Sequence, residues 1–157
     1  MEKEKAFVNQ KFDANIIVEL QGGLGNQLFQ YAFYKSLKNK YPSAKIKMDI
    51  SYYHTFKCHY GLELPQIFNI NLDLILMNKY IRKENSVCVN PKFLDLFNGT
   101  NNTHVSQKQS FSFYPVCFYL DMSKNYYFSG YWQNEQYFYD IKDMLLVFKG
   151  CIALDYK

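Results

Sequence analysis

The sequence predicts an α/β fold in which a parallel sheet is flanked by helices. Three patterns near its start lead to this class: a short apolar strand at 16–20, a helical pattern at 26–41 and an alternating strand at 44–50. Strand, helix and strand within about 35 residues form a βαβ unit, whose strands run parallel through a right-handed crossover. Such a sheet is Rossmann-like, and its ligands bind at the carboxyl ends of the strands.

These three elements are predicted from the spacing of their apolar residues. Residues 16–20 are short, apolar and followed by glycines, as in a buried strand. The helix has one broad apolar face, formed by Leu28, Phe29, Ala32, Phe33 and Leu37. Pro42 ends this helix. The second strand alternates two sets of residues: Ile46, Met48 and Ile50 against Lys45, Lys47 and Asp49.

The rest of the chain gives a coarser pattern. We predict an aromatic-rich loop at 52–63, a compact apolar segment at 64–72, a short helix at 72–82 and a long irregular segment at 84–110. A further strand is predicted at 126–132. The helix after it begins at 133 or 134 and ends at 145 or 146, with Tyr137, Phe138, Ile141, Met144 and Leu145 on its inner face. Residues 1–14 form a flexible tail, and 15–157 form one domain.

Composition excludes several classes of protein. The 157 residues are 48% hydrophobic and 19% aromatic, which excludes a disordered chain. The net charge of +4 comes without a block of like charge and therefore gives no case for nucleic acid. The four cysteines are about thirty residues apart and do not cluster with histidine, which argues against a metal site. We expect reduced, mostly buried thiols in a cytosolic protein, since no signal peptide or 18-residue apolar run is present.

The segment QGGLGNQ at 21–27 is the most informative part of the sequence. Three glycines between a strand and a helix allow a tight turn and a close approach of ligand to backbone, where the helix N-terminus favours anionic groups. The dinucleotide fingerprint needs a glycine three residues after Gly25, but Leu28 stands there. The sequence also contains no P-loop pattern. Two interpretations stay open: a ligand site, or a packing turn in which Asn26 caps the helix.

Four segments resemble, in the same order, the α-1,2-fucosyltransferases of glycosyltransferase family 11. They are GGLGNQLFQYA at 22–32, KMDIS at 47–51, YGLEL with IFNI at 60–70, and FSGYWQNEQYF at 128–138, which is similar to the family's GYWQSEKYF element. The likeness covers roughly residues 15–148.

The resemblance implies the N-terminal half of a GT-B fold, in which two Rossmann-like halves face a cleft. It implies transfer of fucose from GDP-fucose to the 2-hydroxyl of a galactoside-containing glycan acceptor, with inversion and without a metal or other cofactor. It also implies a cytoplasmic location with peripheral association at the inner membrane face. A non-catalytic carbohydrate- or nucleotide-binding domain is the alternative function.

The same resemblance suggests site residues. The donor side of the cleft is expected at Gly22, Gly23, Gly25, Asn26 and Gln27, and acceptor contacts at Tyr131, Trp132 and Gln133. The candidate catalytic residues are two carboxylates, Asp49 and Glu135. For Glu135 the alternative is a first-turn acid favoured by the helix dipole, and for the two aromatics it is a place in the core. The three histidines are assigned no role.

One element of the family pattern is absent. The His-x-Arg-Arg-x-Asp motif, whose arginine neutralises the leaving diphosphate, does not occur, and Arg82 is the sole arginine of the sequence. We therefore expect the C-terminal donor domain to be missing. We also expect the chain alone to lack transferase activity, because such an arginine stabilises the transition state by several kcal/mol.

Overall fold

The computed structural model describes residues 15–57, 59–77, 80–83, 86–89, 101–107 and 109–145, with backbone alone in 80–83 and 86–89. The strands in these ranges are β1 (Ile16–Glu19), β2 (Ile46–Asp49), β3 (Leu74–Ile75), β4 (Tyr80–Lys83), β5 (Ser86–Val89), β6 (Asn102–Ser106) and β7 (Asn125–Ser129). The α-helices are α1 (Leu24–Lys40), α2 (Ser51–Thr55), α3 (Leu64–Phe68) and α4 (Lys142–Leu145). Three 3₁₀ turns span Pro115–Phe118, Glu135–Tyr137 and Tyr139–Ile141.

Five strands form one parallel sheet in the order β3-β2-β1-β7-β6. Strands β4 and β5 form a separate antiparallel pair. The central strand β1 pairs with β2 through the predicted βαβ unit, with Ile16 opposite Ile46, and with β7 on its other side. The parallel sheet flanked by helices confirms the predicted α/β, Rossmann-like class.

The main core lies between α1 and one face of the sheet. Phe33 of α1 is fully buried at its centre and stacks on Trp132, with ring centroids 4.3 Å apart. The rings of Phe128 and Tyr137 meet Phe33 edge-on, at 5.4 and 5.3 Å. This geometry adds quadrupole attraction to the burial of large apolar surfaces.

Helix α1 is more enclosed than its sequence pattern predicts. It begins at Leu24, two residues before the predicted start, and buries a polar residue in two successive turns, Gln27 and Gln30. Leu28 and Phe29, which were predicted on the inner face, are half-buried. The two buried glutamines lie where α1 faces neighbouring loops, and their side chains form hydrogen bonds with those loops. These bonds allow a polar side of the helix to be buried.

Several later elements differ from the predictions. The short helix predicted at 72–82 is wrong, because β3 and the start of β4 lie there. The segment 84–110 contains β5 and β6, while residues 90–100 lie outside the described residues. Strand β6 (NTHVS) has one apolar residue, and among the described strands it pairs with β7. The helix predicted from 133 or 134 is divided into two 3₁₀ turns and α4, and of its predicted inner face Met144 is 55% exposed.

The thiol expectation is confirmed at Cys117, which is free and buried. Burial raises the pKa of its thiol to about 12, which keeps it protonated and unreactive. The side chains of the other three cysteines, and the predicted tail at 1–14, lie outside the described residues. None of the described helices is long and apolar enough to cross a membrane.

Truncating Phe33 tests the aromatic core. We expect Phe33→Ala to lower the free energy of unfolding by about 3–5 kcal/mol, because the cavity left among four rings cannot close. Urea unfolding followed by circular dichroism measures the change. Phe111→Ala, at a phenylalanine that is 74% exposed, is the matched control and should shift stability by less than about 0.5 kcal/mol. Equal effects of the two substitutions would contradict this description of the core.

Candidate functional site

The candidate site lies at the carboxyl ends of β1 and β7, where the strand order reverses direction. The chain leaves β1 through the glycine loop into α1 and leaves β7 through residues 130–134. Because β2 and β7 flank β1 on opposite sides, the connections that follow β1 and β7 begin next to each other at this switch point. The surface between the glycine loop and residues 130–134 is termed the crevice. In open α/β sheets such a switch point is the usual place for a ligand.

The glycine loop turns sharply at Gly22. Its φ of +78° is in the left-handed region, and a Cβ there would lie 2.6 Å from Nδ2 of Asn26. Gly23 is the N-cap of α1 and has no side-chain cap bond. The interpretation of Asn26 as the helix cap is therefore wrong, since Asn26 stands inside the first turn.

Gln27 anchors the loop from beneath. Its fully buried side-chain amide donates to the carbonyls of Gly22 and Gly61, at 3.1 and 2.9 Å. Its carbonyl accepts the backbone N–H groups of Glu63 and Leu64, both at 3.0 Å. Both donors are used and the oxygen accepts twice, so Gln27 joins the glycine loop to the 61–64 turn and supports the expected cleft without facing it.

Gln30 makes the corresponding connection towards β7. Its buried side chain accepts the N–H of Gln21 and donates to the carbonyl of Gly130, both at 3.0 Å. One turn apart on α1, Gln27 and Gln30 therefore fix the loops on both sides of β1. An unmatched buried amide would cost about 1–3 kcal/mol, which makes these connections specific.

A third glutamine, Gln107, holds the segment after β7. Its side-chain oxygen accepts the N–H groups of Tyr131 and Trp132, at 3.0 and 2.8 Å. Gly130 packs so closely that a Cβ there would lie 2.5 Å from Cβ of Gln107. Trp132 has a φ of +56°, a left-handed conformation that Gln107 and the core around the indole stabilise.

Two residues expected in the cleft are buried beneath it. Trp132 is fully buried and stacked on Phe33, so its ring packs in the core and offers no face to a sugar. Asp49 is 1% exposed, although the alternating pattern had assigned it to the polar side. Asp49 departs from the sequence expectation because groups of β7 and of the segment after β3 enclose it. Trp132 occupies the core position that was the alternative interpretation of the two aromatics.

Asp49 is the centre of a buried hydrogen-bond network. One carboxylate oxygen accepts the N–H and hydroxyl of Ser51, at 2.9 and 2.6 Å, and the N–H of Met77 at 3.2 Å. The other accepts the hydroxyl of Tyr127 at 2.7 Å. Burial raises the pKa of Tyr127 well above its ordinary value, and the nearby carboxylates of Asp49 and Glu19 raise it further. This network joins the ends of β2 and β3 to the middle of β7.

The accessible polar groups of the crevice come from both connections. Asn26 accepts a hydrogen bond from the Gln133 side chain at 2.9 Å, so these two predicted site residues are brought together. Gly25 is exposed, and a Cβ added there would have no neighbour within 4 Å. Tyr131 is half-buried beside them, whereas Glu135 is exposed in the first turn of its short 3₁₀ segment.

The first turn of α1 is electropositive. It contains no acidic residue, and its first intrahelical bond runs from the N–H of Gln27 to the carbonyl of Gly23. Among the described residues, the backbone N–H groups of Gly25 and Asn26 have no hydrogen-bond acceptor. Free N–H groups and the helix dipole favour an anionic or hydroxyl-bearing ligand here.

His59 is a neighbour of the loop to which the sequence assigned no role. It has a left-handed φ of +54°, and a Cβ at Gly23 would lie 3.4 Å from its imidazole Nδ1. Tyr60 beside it is 92% exposed. In the described part of the chain no three His, Cys, Asp or Glu side chains are grouped so that they could hold a metal ion.

The sheet order and the glycine loop at its switch point make this chain a Rossmann-like α/β domain. Among curated proteins it is similar to an α-1,2-colitosyltransferase from Escherichia coli, with 29% identity over 134 residues. The match covers 83% of this chain and 43% of the relative, so the chain spans less than half the length of the protein it matches. No protein-family model matches the chain, and no solved structure matches it.

Sequence reasoning missed Gln30, Gln107 and His59. Gln30 carries a weak signal, since a polar residue between apolar helix positions suggests a buried amide with backbone partners, whereas Gln107 stands among polar residues and carries none. His59 carries no signal in the sequence, because it lies against Gly23, 36 positions before it, only after the loop has folded.

Gln27→Met tests the anchor of the glycine loop. We expect it to lower the free energy of unfolding by about 3 kcal/mol, because the amides of Glu63 and Leu64 and two carbonyls lose their buried partner. It should also speed hydrogen exchange at Leu64. Chemical denaturation and amide exchange measure both effects. Gln66→Met, at an exposed position of α3, is the matched control. A change below about 0.5 kcal/mol in Gln27→Met would contradict the anchoring role.

Tyr127 should make stability sensitive to alkali. Its folded-state pKa is raised, so the unfolded chain, with a tyrosine pKa near 10.0, loses the proton first. The free energy of unfolding is therefore constant below that pH and falls above it, by up to about 1.4 kcal/mol per pH unit for this group. Tyr127→Phe should remove that part of the slope, whereas Tyr60→Phe should keep it. Denaturant unfolding at a series of alkaline pH values measures the free energy of unfolding of each variant. If it falls with pH equally in Tyr127→Phe and Tyr60→Phe, the assignment to Tyr127 is wrong.

Proposed function

We propose that the chain forms one wall of the substrate cleft of a glycosyltransferase of the fucosyltransferase-like kind. The reaction is transfer of fucose from GDP-fucose to the 2-hydroxyl of a galactoside, with inversion at the anomeric carbon. The observation that carries the proposal is the contact between the glycine loop and residues 130–134 through the Gln133–Asn26 hydrogen bond, because both segments resemble the α-1,2-fucosyltransferases. The similarity to the α-1,2-colitosyltransferase supports the same linkage.

Gly25 supports a ligand at this crevice. A glycine in the first turn of a long helix costs about 1 kcal/mol relative to alanine. Packing does not explain Gly25, because a Cβ there would meet no atom within 4 Å. Close approach of a ligand to the amides of α1 does explain it.

The proposed chemistry is an in-line displacement. The galactoside hydroxyl gives its proton to a general base and its oxygen bonds to the anomeric carbon, while the bond from that carbon to the nucleoside diphosphate breaks. Negative charge therefore develops on the diphosphate oxygens. The positive end of α1 stabilises that charge, and the side-chain amides of Asn26 and Gln133 orient sugar hydroxyls. Asp49 and Gln27 act as positioning residues that hold the loops in place.

The particular sugar is a finer part of the proposal. Colitose is fucose without its 3-hydroxyl, so the two donors differ by one hydrogen-bonding group. A site built to bind that hydroxyl would reject the deoxy sugar strongly, whereas a site lacking such contacts would accept both. Parallel titrations with GDP-fucose and GDP-colitose therefore separate the two donor specificities.

Gly25→Ala tests the proposed site. The variant should fold with equal or greater stability, because alanine is the better helix former by about 1 kcal/mol. NMR titration of the 157-residue chain with GDP-fucose should shift the amides of residues 23–26, and this response should be lost in Gly25→Ala. The matched control, Gly22→Ala, should instead destabilise the fold, since a Cβ there meets Asn26 at 2.6 Å.

Two results would count against this function. An unchanged GDP-fucose response in Gly25→Ala would place the ligand elsewhere. A response to galactosides with none to GDP-fucose would favour the alternative, a carbohydrate-binding domain without catalysis.

A further inference from the structure

A second groove lies on the outer side of the α1 layer, away from the carboxyl edge. It has a volume of about 230 Å³ and is bordered by the last turns of α1, by the segment around the 3₁₀ turn Pro115–Phe118, and by residues 136–140. Counting 1.5 Å per helical residue, its Lys40 end is roughly 20 Å from Asn26. The groove is thus separate from the crevice at the glycine loop.

One wall of the groove is aromatic and open to solvent. Phe118 and Tyr137 form its floor, and Tyr119 stands at its border with 80% of its surface exposed. The backbone here is held firmly, because the N–H of Tyr119 donates to Val116 and that of Leu120 to the hydroxyl of Tyr41. An exposed aromatic ring on this hydrogen-bonded backbone, beside a cavity, offers a flat apolar surface to a ligand.

The lining also includes four polar side chains, which indicate a particular kind of ligand. They are Ser36, Lys40, Gln136 and Asp140. Within the described ranges none of these side chains has a hydrogen-bond or ion-pair partner. Together they supply donors, acceptors and one charge of each sign, which leaves the groove without net charge.

We infer that this groove binds a neutral saccharide unit. A sugar ring presents C–H groups on one face, which suit Tyr119, and hydroxyls on its edge that both donate and accept, which suit Lys40, Gln136 and Asp140. Because the Asp140 carboxylate offsets the Lys40 ammonium, the groove has no net charge that would favour a phosphate or an anionic lipid. The volume lies below the 300–1,000 Å³ typical of drug-sized ligands, as expected for one sugar residue of a longer chain.

The inference rests on the proposed function in one respect, the choice of a galactose-containing ligand. Ser36 and Lys40 of the groove lie roughly 15 and 20 Å from Asn26 along α1, so the groove would hold a residue of an extended acceptor glycan beyond the one that reacts. Two weak contacts on one chain gain affinity through their effective concentration. The groove therefore selects for acceptor length and not for the sugar that reacts.

The test is an NMR titration of the full chain with lactose and with a galactose-terminated tetrasaccharide. Amides of residues 113–119 and 136–140 should shift and saturate in the millimolar range. Tyr119→Ala and Asp140→Asn should each weaken this response about fivefold or more. The matched controls, Tyr60→Ala and Asp143→Asn, replace exposed residues outside the groove and should leave it within about twofold.

The same spectra separate this inference from the proposed function. Shifts at residues 22–26 with GDP-fucose report on the crevice, whereas shifts at 113–119 with saccharide report on the groove. A groove response without a crevice response supports the groove and counts against the proposed function alone. Absence of saturable shifts at the groove, equal responses in all four variants, or stronger responses to inorganic phosphate or phosphatidylglycerol vesicles would overturn the inference.

Discussion

The hydrogen bonds of two buried glutamine side chains, Gln27 and Gln30, are the constraint on which the carboxyl edge depends. One helical turn apart, they reach the 61–64 turn on one side of β1 and Gly130 on the other. A buried amide is favourable only if all its polar atoms are matched, so these bonds select one arrangement of three loops. The crevice, the free amides of α1 and the pairing of Asn26 with Gln133 all follow from that arrangement.

The carboxyl edge of the sheet combines accessible amide groups at the start of α1 with the buried carboxylate of Asp49. Asp49 uses both oxygens on four protein donors and thereby joins the strands, while the accessible surface presents N–H groups and neutral side chains. Neutral amides can donate to diphosphate oxygens and exchange hydrogen bonds with sugar hydroxyls. This chemistry suits the nucleotide-sugar and glycan cleft that we propose, in which the buried Asp49 supports the loops.

The βαβ unit and the strand near 126–132 could be predicted because each has a strong apolar pattern of its own. Strand β6 could not, since NTHVS acquires its conformation from pairing with β7. The short strand β3 likewise depends on β2, through the bond from Met48 to Asp73. For the site, the glycine loop, Asn26 and Gln133 were predicted and lie together, whereas Trp132 and Gln27 were placed in the cleft and are buried under it.

The sequence by itself determined the α/β class and the position of the glycine loop, because hydrophobic periodicity and glycine act over a few neighbouring residues. Only the tertiary structure decided which polar groups face solvent. Gln30 and Gly130 are 100 positions apart, and Asp49 and Tyr127 are 78 apart, so their contacts exist only after the sheet has formed. Burial turned those residues into supports and left the amides of α1 as the exposed surface of the crevice.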